Sequence, residues 1–344
     1  MSVIPGAPRV GIVAFAPELR TMAAAAREAD RAGFQTVWTS ELYNRSATVT
    51  VAAIALGTTR CAVGSGIMYG VGRSPLMLAA EARDLDELSG GRFVLGLGNG
   101  TRRMISDWHG QDGAAPAARM EELVPLIRSI WHLEDGPVDH AGRFYRVRIS
   151  SLGDLAAPVR AIPIYTAGLN PRMIEAAGRV ADGLLGHTLF SPRYIRQVVR
   201  PALERGAVHA ERDPSSVGFS TYTLAVADPD EERARREAAA MIAFYGSVKS
   251  YRSLFEVCGF GAEAAAIQSA FADRDPDAMV AAVSDEMVDE FACAGTPAQV
   301  RAGLRRFEGI VDEVALSPPS FRVSAERSGE ILAGLIDACA PGAG

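Results

Sequence analysis

Residues 74–100 read Ser-Pro-Leu-Met-Leu-Ala-Ala-Glu-Ala-Arg-Asp-Leu-Asp-Glu-Leu-Ser-Gly-Gly-Arg-Phe-Val-Leu-Gly-Leu-Gly-Asn-Gly. One complete helix-then-strand unit is legible there. Ser74 suits an N-cap, and Pro75 suits the first helical position, where its missing N–H leaves nothing unsatisfied. Leu78, Ala82, Leu85 and Leu88 then recur at helical spacing and give one buried face. Gly90 and Gly91 close the helix. The run 93–97 that follows is almost wholly apolar, as a parallel strand covered on both faces should be.

The same alternation extends in both directions. Short runs rich in Val, Ile and Phe fall at 9–15, 35–39, 60–66, 93–97, 162–166, 182–186, 217–227 and 310–316. Helical patterns follow them. The first begins at Pro17, carries a stripe of Leu19, Met22, Ala23 and Ala26, and stops at Gly33. Others cover 47–56, 116–131, 192–209 and 324–339, and two more start at Pro171 and Pro229. Thr296-Pro297-Ala298-Gln299 is a capping box. Two stretches interrupt the rhythm: a polar, turn-rich piece at 134–151, after strand four, and a helical piece at 246–290, after the seventh helix. Eight strand–helix units in 344 residues, 48% of them hydrophobic, predict an α/β chain folded as one (β/α)8 TIM barrel with two insertions. A doubly wound open sheet would leave the eighth strand and the late capping box without a place.

Composition narrows the partners. A formal net charge of −6 argues against a polyanion-binding surface, so no nucleic acid is expected. Lys249 is the only lysine, which reads as the codon bias of a GC-rich genome rather than as a binding patch. Cys61, Cys258, Cys293 and Cys339 form no C-x-x-C pair and lie near no histidine at ligand spacing, so buried or idle thiols and no metal site are expected. The start lacks a basic segment followed by an apolar run, and no apolar stretch reaches membrane-spanning length. The expectation is a cytoplasmic protein acting on a small molecule, with no membrane partner.

Barrels build chemistry at the C-terminal ends of their strands. The residues there are Phe15; Ser40, Glu41, Tyr43 and Asn44; Gly66, Ile67 and Tyr69; Gly98, Asn99 and Gly100; Ala167, Gly168, Leu169 and Asn170; His187; and Tyr222. Gly98-Asn99-Gly100 admits a flat ligand close to the backbone or is a plain tight turn. Gly168 to Pro171 opens a helix whose remaining free N–H groups, at Arg172 and Met173, face an anion, or it is an ordinary capped start. Glu41 is a proton relay or cofactor partner, or a rim charge paired with Arg45. His187 is catalytic, or a buried imidazole satisfied by backbone. The metalloprotease, serine-hydrolase and Walker patterns are missing, and Gly96-x-Gly98-x-Gly100 lacks dinucleotide spacing.

The chain resembles the bacterial-luciferase-like family of flavin and deazaflavin oxidoreductases from Val10 to about Leu316. The resemblance is carried by Ala32-Gly33-Phe34-Gln35-Thr36-Val37-Trp38-Thr39-Ser40-Glu41 and by the stretch from Ser74 to Gly100. It continues in Gly142-Arg143-Phe144-Tyr145, Ile162-Pro163-Ile164-Tyr165-Thr166-Ala167-Gly168, Ala181-Asp182-Gly183 and Gly295-Thr296-Pro297. Trp38 through Asn44 looks most like the methylenetetrahydromethanopterin reductase branch, where an acidic residue, a histidine, a tyrosine and an asparagine follow strand two. Glu41, Tyr43 and Asn44 match in kind, but Leu42 stands at the histidine position.

That resemblance implies a mouth binding coenzyme F420 or, alternatively, FMN. It implies a non-proline cis peptide at Gly66-Ile67 behind the ring and a phosphate at Gly168 to Asn170. The cofactor-binding set would be Ser40, Glu41, Asn44, Gly66, Ile67, Gly98, Asn99, Gly100, Ala167, Gly168, Leu169 and Asn170. Glu41 and His187 would be catalytic, and Phe15, Tyr43, Tyr69 and Tyr222 would line the substrate side. The first function expected is hydride transfer between F420 and a small organic substrate. The second is an FMN-dependent monooxygenase fed by a separate flavin reductase, and the third a non-catalytic flavin-binding relative. A homodimer is expected from family habit.

Overall fold

The computed structural model describes residues 6–152 and 161–341. Eight parallel strands run along the chain: β1 Arg9–Val13, β2 Thr36–Thr39, β3 Ala62–Ser65, β4 Phe93–Gly98, β5 Ile164–Ala167, β6 Gly183–Gly186, β7 Gly218–Ala227 and β8 Glu313–Ser317. Their order is β7-β8-β1-β2-β3-β4-β5-β6, with β6 also paired to β7. This is the (β/α)8 barrel expected from the alternation. By compactness the described residues form two units: 38–152 and 161–185 with 201–219, and 6–37 with 186–200 and 220–341.

The first unit holds β3 to β6. Val63 pairs with Phe93, Leu95 with Ile164, and Tyr165 with Gly183. Phe93, Leu95 and Leu97 are all but sealed, which is why that run reads as continuously apolar. Trp38, 1% exposed, fills the space beside them. A Cβ on Gly64 would stand 2.3 Å from the Trp38 ring, so that glycine is needed for the indole to fit. A Cβ on Gly96 would stand 1.8 Å from the Ser65 carbonyl oxygen. The Ser65 hydroxyl takes up that close approach, donating to the Gly96 carbonyl at 2.9 Å and accepting from its N–H at 3.0 Å.

The second unit holds β1, β8 and most of β7. Arg9 pairs with Glu313, and Ser220 pairs with the same residue from the other side. Glu313 is 1% exposed, accepts the Thr36 hydroxyl at 2.8 Å and lies 3.7 Å from Arg9. The outer half of β7, Leu224 to Ala227, pairs with a further short strand, Ala292–Gly295.

Most elements match their sequence signals. Pro116–Trp131 is a helix, Val138–Ala141 and Arg146–Ile149 form the hairpin of the first insertion, and Thr296 closes its capping box with Gln299. The second insertion is the four helices Arg252–Val257, Gly261–Ala272, Pro276–Ala281 and Asp285–Phe291. Three features differ. Arg102–His109 is a helix where a long connection was expected; Thr101 caps it and Gly110 ends it in the left-handed region. The helix expected over 192–209 contains a π-helical turn, Ile195–Val199, just ahead of Pro201, which has no N–H for the regular ladder. The strand Ala292–Gly295 was not anticipated, because Ala-Cys-Ala-Gly carries no β-branched or aromatic signal. All four cysteines are buried and free. Among the described residues no helix is long and apolar enough to cross a membrane.

Candidate active site

In the first unit the end of β2 is tied to the loop after β3. The Gly66 N–H donates to the Thr39 carbonyl at 2.6 Å, the Ser40 hydroxyl donates to the Gly66 carbonyl at 2.7 Å, and the Glu41 N–H donates to the Ile67 carbonyl at 3.1 Å. The Gly66–Ile67 peptide is cis, as the resemblance implied. Met68 and Tyr69 then run beside Leu97 and Gly98 at the end of β4. A Cβ on Gly98 would meet Ile67 Cδ1 at 2.3 Å, and Gly100 turns the chain at φ +64° against the Tyr69 ring. Ser40, Glu41, Gly66, Ile67, Tyr69, Gly98 and Gly100 are thus brought together.

Glu41 is the electrostatic centre of this region. Its carboxylate accepts the Tyr69 N–H at 2.8 Å and a two-pronged pair from Arg73 at 2.8 and 2.7 Å. Arg73 also reaches Glu81 at 3.1 Å, and Glu81 accepts the Thr48 hydroxyl at 2.7 Å. The Glu41 and Arg73 side chains are only 10% and 17% exposed. Arg73 is thus a partner of Glu41, and the Arg45 backbone closes a small turn with Leu42. A two-pronged guanidinium fixes a carboxylate in direction as well as in charge. So placed, Glu41 holds the 66–69 loop. Burial, and then the Glu41 charge, push the Tyr69 phenol up to about 12. Its ring lies edge-on to His109 at 5.3 Å.

Asn99, 6% exposed, donates through Nδ2 to the Pro116 carbonyl at 2.9 Å, and its own carbonyl oxygen has no partner among the described residues. A buried acceptor left unpaired in a glycine-flanked strand end is the strongest local sign of a missing ligand donor. Gly66, Ile67, Ala167, Gly168 and Leu169 keep accessible surface above the sealed β3 and β4. These features fit a planar heterocycle with polar edges.

The start of the helix Pro171–Val180 offers less than expected. Asn170 Oδ1 accepts the Met173 N–H at 3.1 Å, so that group is not free, and of the two N–H groups expected to face an anion Arg172 alone remains. Gly168 is needed by the chain itself, since a Cβ there would stand 2.6 Å from Met173 Cβ. Tyr43 and Asn44 are exposed. Tyr43 is 78% exposed and lies edge-on to Trp108 at 5.7 Å.

In the second unit, Phe15 is half-buried just past β1. Tyr222 lies inside β7 rather than after it, opposite Ala315, and is 8% exposed. Burial, and then the Glu313 charge, hold its phenol far above its ordinary range. His187 follows β6. Its Nδ1 accepts the Leu189 N–H at 3.2 Å, which leaves the proton of the neutral ring on Nε2. Tyr245 and Tyr251 pack on it with centroids at 4.7 and 4.8 Å. Burial lowers the imidazole pKa to about 3.

Sequence reasoning missed Arg73, Glu81, Tyr245 and Tyr251. Arg73 immediately precedes the Ser74-Pro75 helix start, a rim position that could have flagged it. Tyr245 and Tyr251 flank the start of the helical insertion and carry no periodic signal.

A half-buried carboxylate–arginine clamp, a glycine-built strand end and an unpaired asparagine at the C-terminal ends of a barrel's strands define a ligand-binding barrel enzyme. Residues 1–313 match the luciferase-like monooxygenase family, and the chain belongs to it. An uncharacterized protein of Mycobacterium tuberculosis is 32% identical over 305 residues, covering 86% of this chain and 89% of that one. The 5,10-methylenetetrahydromethanopterin reductase of Methanolobus tindarius is 30% identical, covering 85% and 89%. The structure of the coenzyme F420-dependent tetrahydromethanopterin reductase of Methanopyrus kandleri aligns with TM-score 0.78 and 24% identity over 97% and 98% of the chains. A type II Baeyer-Villiger monooxygenase of Pseudomonas putida in complex with FMN aligns with TM-score 0.68 and 18% identity over 97% and 98%. These structures share the fold.

Proposed function

We propose that this protein moves a hydride between coenzyme F420 and a small organic substrate. The carrying observation is the partial exposure of Gly66, Ile67 and residues 167–169 at the ends of sealed strands, together with the Asn99 oxygen that has no partner among the described residues. The likeness to a putative coenzyme F420-dependent oxidoreductase of Mycobacterium tuberculosis, 30% identical over 68% of this chain and 67% of that one, supports the choice of cofactor. Gly66, Ile67, Gly98, Asn99 and Gly100 would hold the ring, and Ala167, Gly168, Leu169, Asn170 and the Arg172 N–H the phosphate end. When bound, the deazaflavin supplies a carbon that carries hydride and does not readily activate oxygen. Ser40 and Glu41 act by fixing the 66–69 loop. His187 stays neutral and offers a hydrogen-bond donor rather than an exchangeable charge.

The family's description favours a second reading, an FMN-dependent monooxygenase served by a separate flavin reductase. Titrating purified protein with F420 and with FMN separates the two. The proposal expects F420 to bind and its reduced form to be oxidised by a substrate without oxygen uptake. Copurified FMN, with oxygen uptake once a flavin reductase is added, would overturn it. Tight binding with no turnover would leave a cofactor-binding relative that is not an enzyme.

A further inference from the structure

The second unit contains a group of side chains that the cofactor does not account for. His187, Tyr245 and Tyr251 form a triangle of rings, with the two tyrosine centroids 5.2 Å apart and Phe190 6.4 Å from the imidazole. Each of the three residues is half-buried. Yet each is deep enough in protein for its ionised form to be strongly disfavoured, the imidazole falling to about 3 and the Tyr245 phenol rising to about 12. The Leu189 N–H occupies His187 Nδ1. The Nε2–H of His187 has no partner among the described residues and is not sealed from solvent. The hydrogen bonds and ring contacts of the three side chains involve no carboxylate, lysine or guanidinium.

We propose that His187, Tyr245 and Tyr251 form a binding pocket for an uncharged, flat or apolar molecule with a hydrogen-bond acceptor, such as a ketone, that takes its hydrogen bond from His187 Nε2–H. Aromatic walls supply apolar contact area, and one oriented donor fixes the carbonyl. A phosphate or carboxylate would enter without a countercharge and lose its hydration. Only the word substrate for this occupant rests on the hydride-transfer reading; the pocket stands on the rings.

The test uses full-length protein without cofactor and compares acetophenone with benzoate by calorimetric titration. Acetophenone should bind at least about tenfold more tightly than benzoate. His187→Phe keeps a ring and removes the donor, and should weaken acetophenone by about three- to tenfold. Tyr251→Phe, which keeps every ring, should leave acetophenone binding within about twofold and serves as the folded reference. Equal or tighter binding of benzoate would overturn the proposal, and so would undiminished acetophenone binding in a folded His187→Phe. F420 titration of the same variants, read by the visible absorbance of the cofactor, should be unchanged. Loss of F420 binding by the unmodified protein would count against the cofactor reading and not against this pocket.

Discussion

Two strand ends treat a deep ionisable side chain in opposite ways. After β2, the Glu41 carboxyl is enclosed by the Arg73 guanidinium and a backbone N–H. After β6, His187 has only rings and one N–H around it, and it stays neutral. The first is a rigid ionic clamp whose geometry sets a loop, and the second is an uncharged wall. The contrast shows that position after a barrel strand does not decide a residue's role. The donors and charges that the rest of the chain brings to it do.

The clamp is the easier half to break. Arg73→Met strands both Glu41 and Glu81, and should lower unfolding stability by about 2–4 kcal/mol in a denaturant titration, trimmed from the fully buried case by residual solvent. A loss below about 1 kcal/mol would mean that the pair is solvated like a surface bridge. Glu41→Gln keeps the shape but halves the acceptor strength, and should lose about 1–3 kcal/mol on the same assay.

The neutral wall gives a pH signature instead. The unfolded chain protonates His187 near 6.5, whereas the folded chain resists until about pH 3. Protons therefore bind preferentially to the unfolded state in that window. Stability from this group is whole above pH 6.5 and falls as pH drops toward 3, by at most about 1.4 kcal/mol per pH unit. His187→Gln should flatten that acid slope. The smallest effect is expected at Tyr43→Ala, within about 0.5 kcal/mol, because a side chain 78% exposed stands outside both regions.

Much of this was legible in the chain. Ser-Pro and Asn-Pro starts with glycine stops located helices, since those residues satisfy or vacate particular N–H and C=O groups. The continuous apolar run at Phe93–Gly98 located a doubly covered strand. The gathering of Ser40, Gly66, Ile67 and Gly98 followed from barrel order alone. What stayed hidden depended on long-range pairing. Arg73 meets Glu41 across 32 residues, and no local pattern marks either as the other's partner. Met173 was misread because Asn170 caps with its side chain at the position where an anion was expected. Tyr222 sits in the middle of the expected run 217–227, and the structure keeps it inside β7 opposite Ala315 rather than at the strand's end.

The packing of Trp38 on Gly64 constrains how this sequence can drift. The indole occupies the space where a side chain at residue 64 would begin, so neither position is free to change by itself. Enlarging residue 64 becomes tolerable only once residue 38 has shrunk, and relatives that lack the tryptophan are where a larger residue 64 should be found. The two sites form a linked pair of alleles whose first step is always the loss of the indole, never the gain of the methyl.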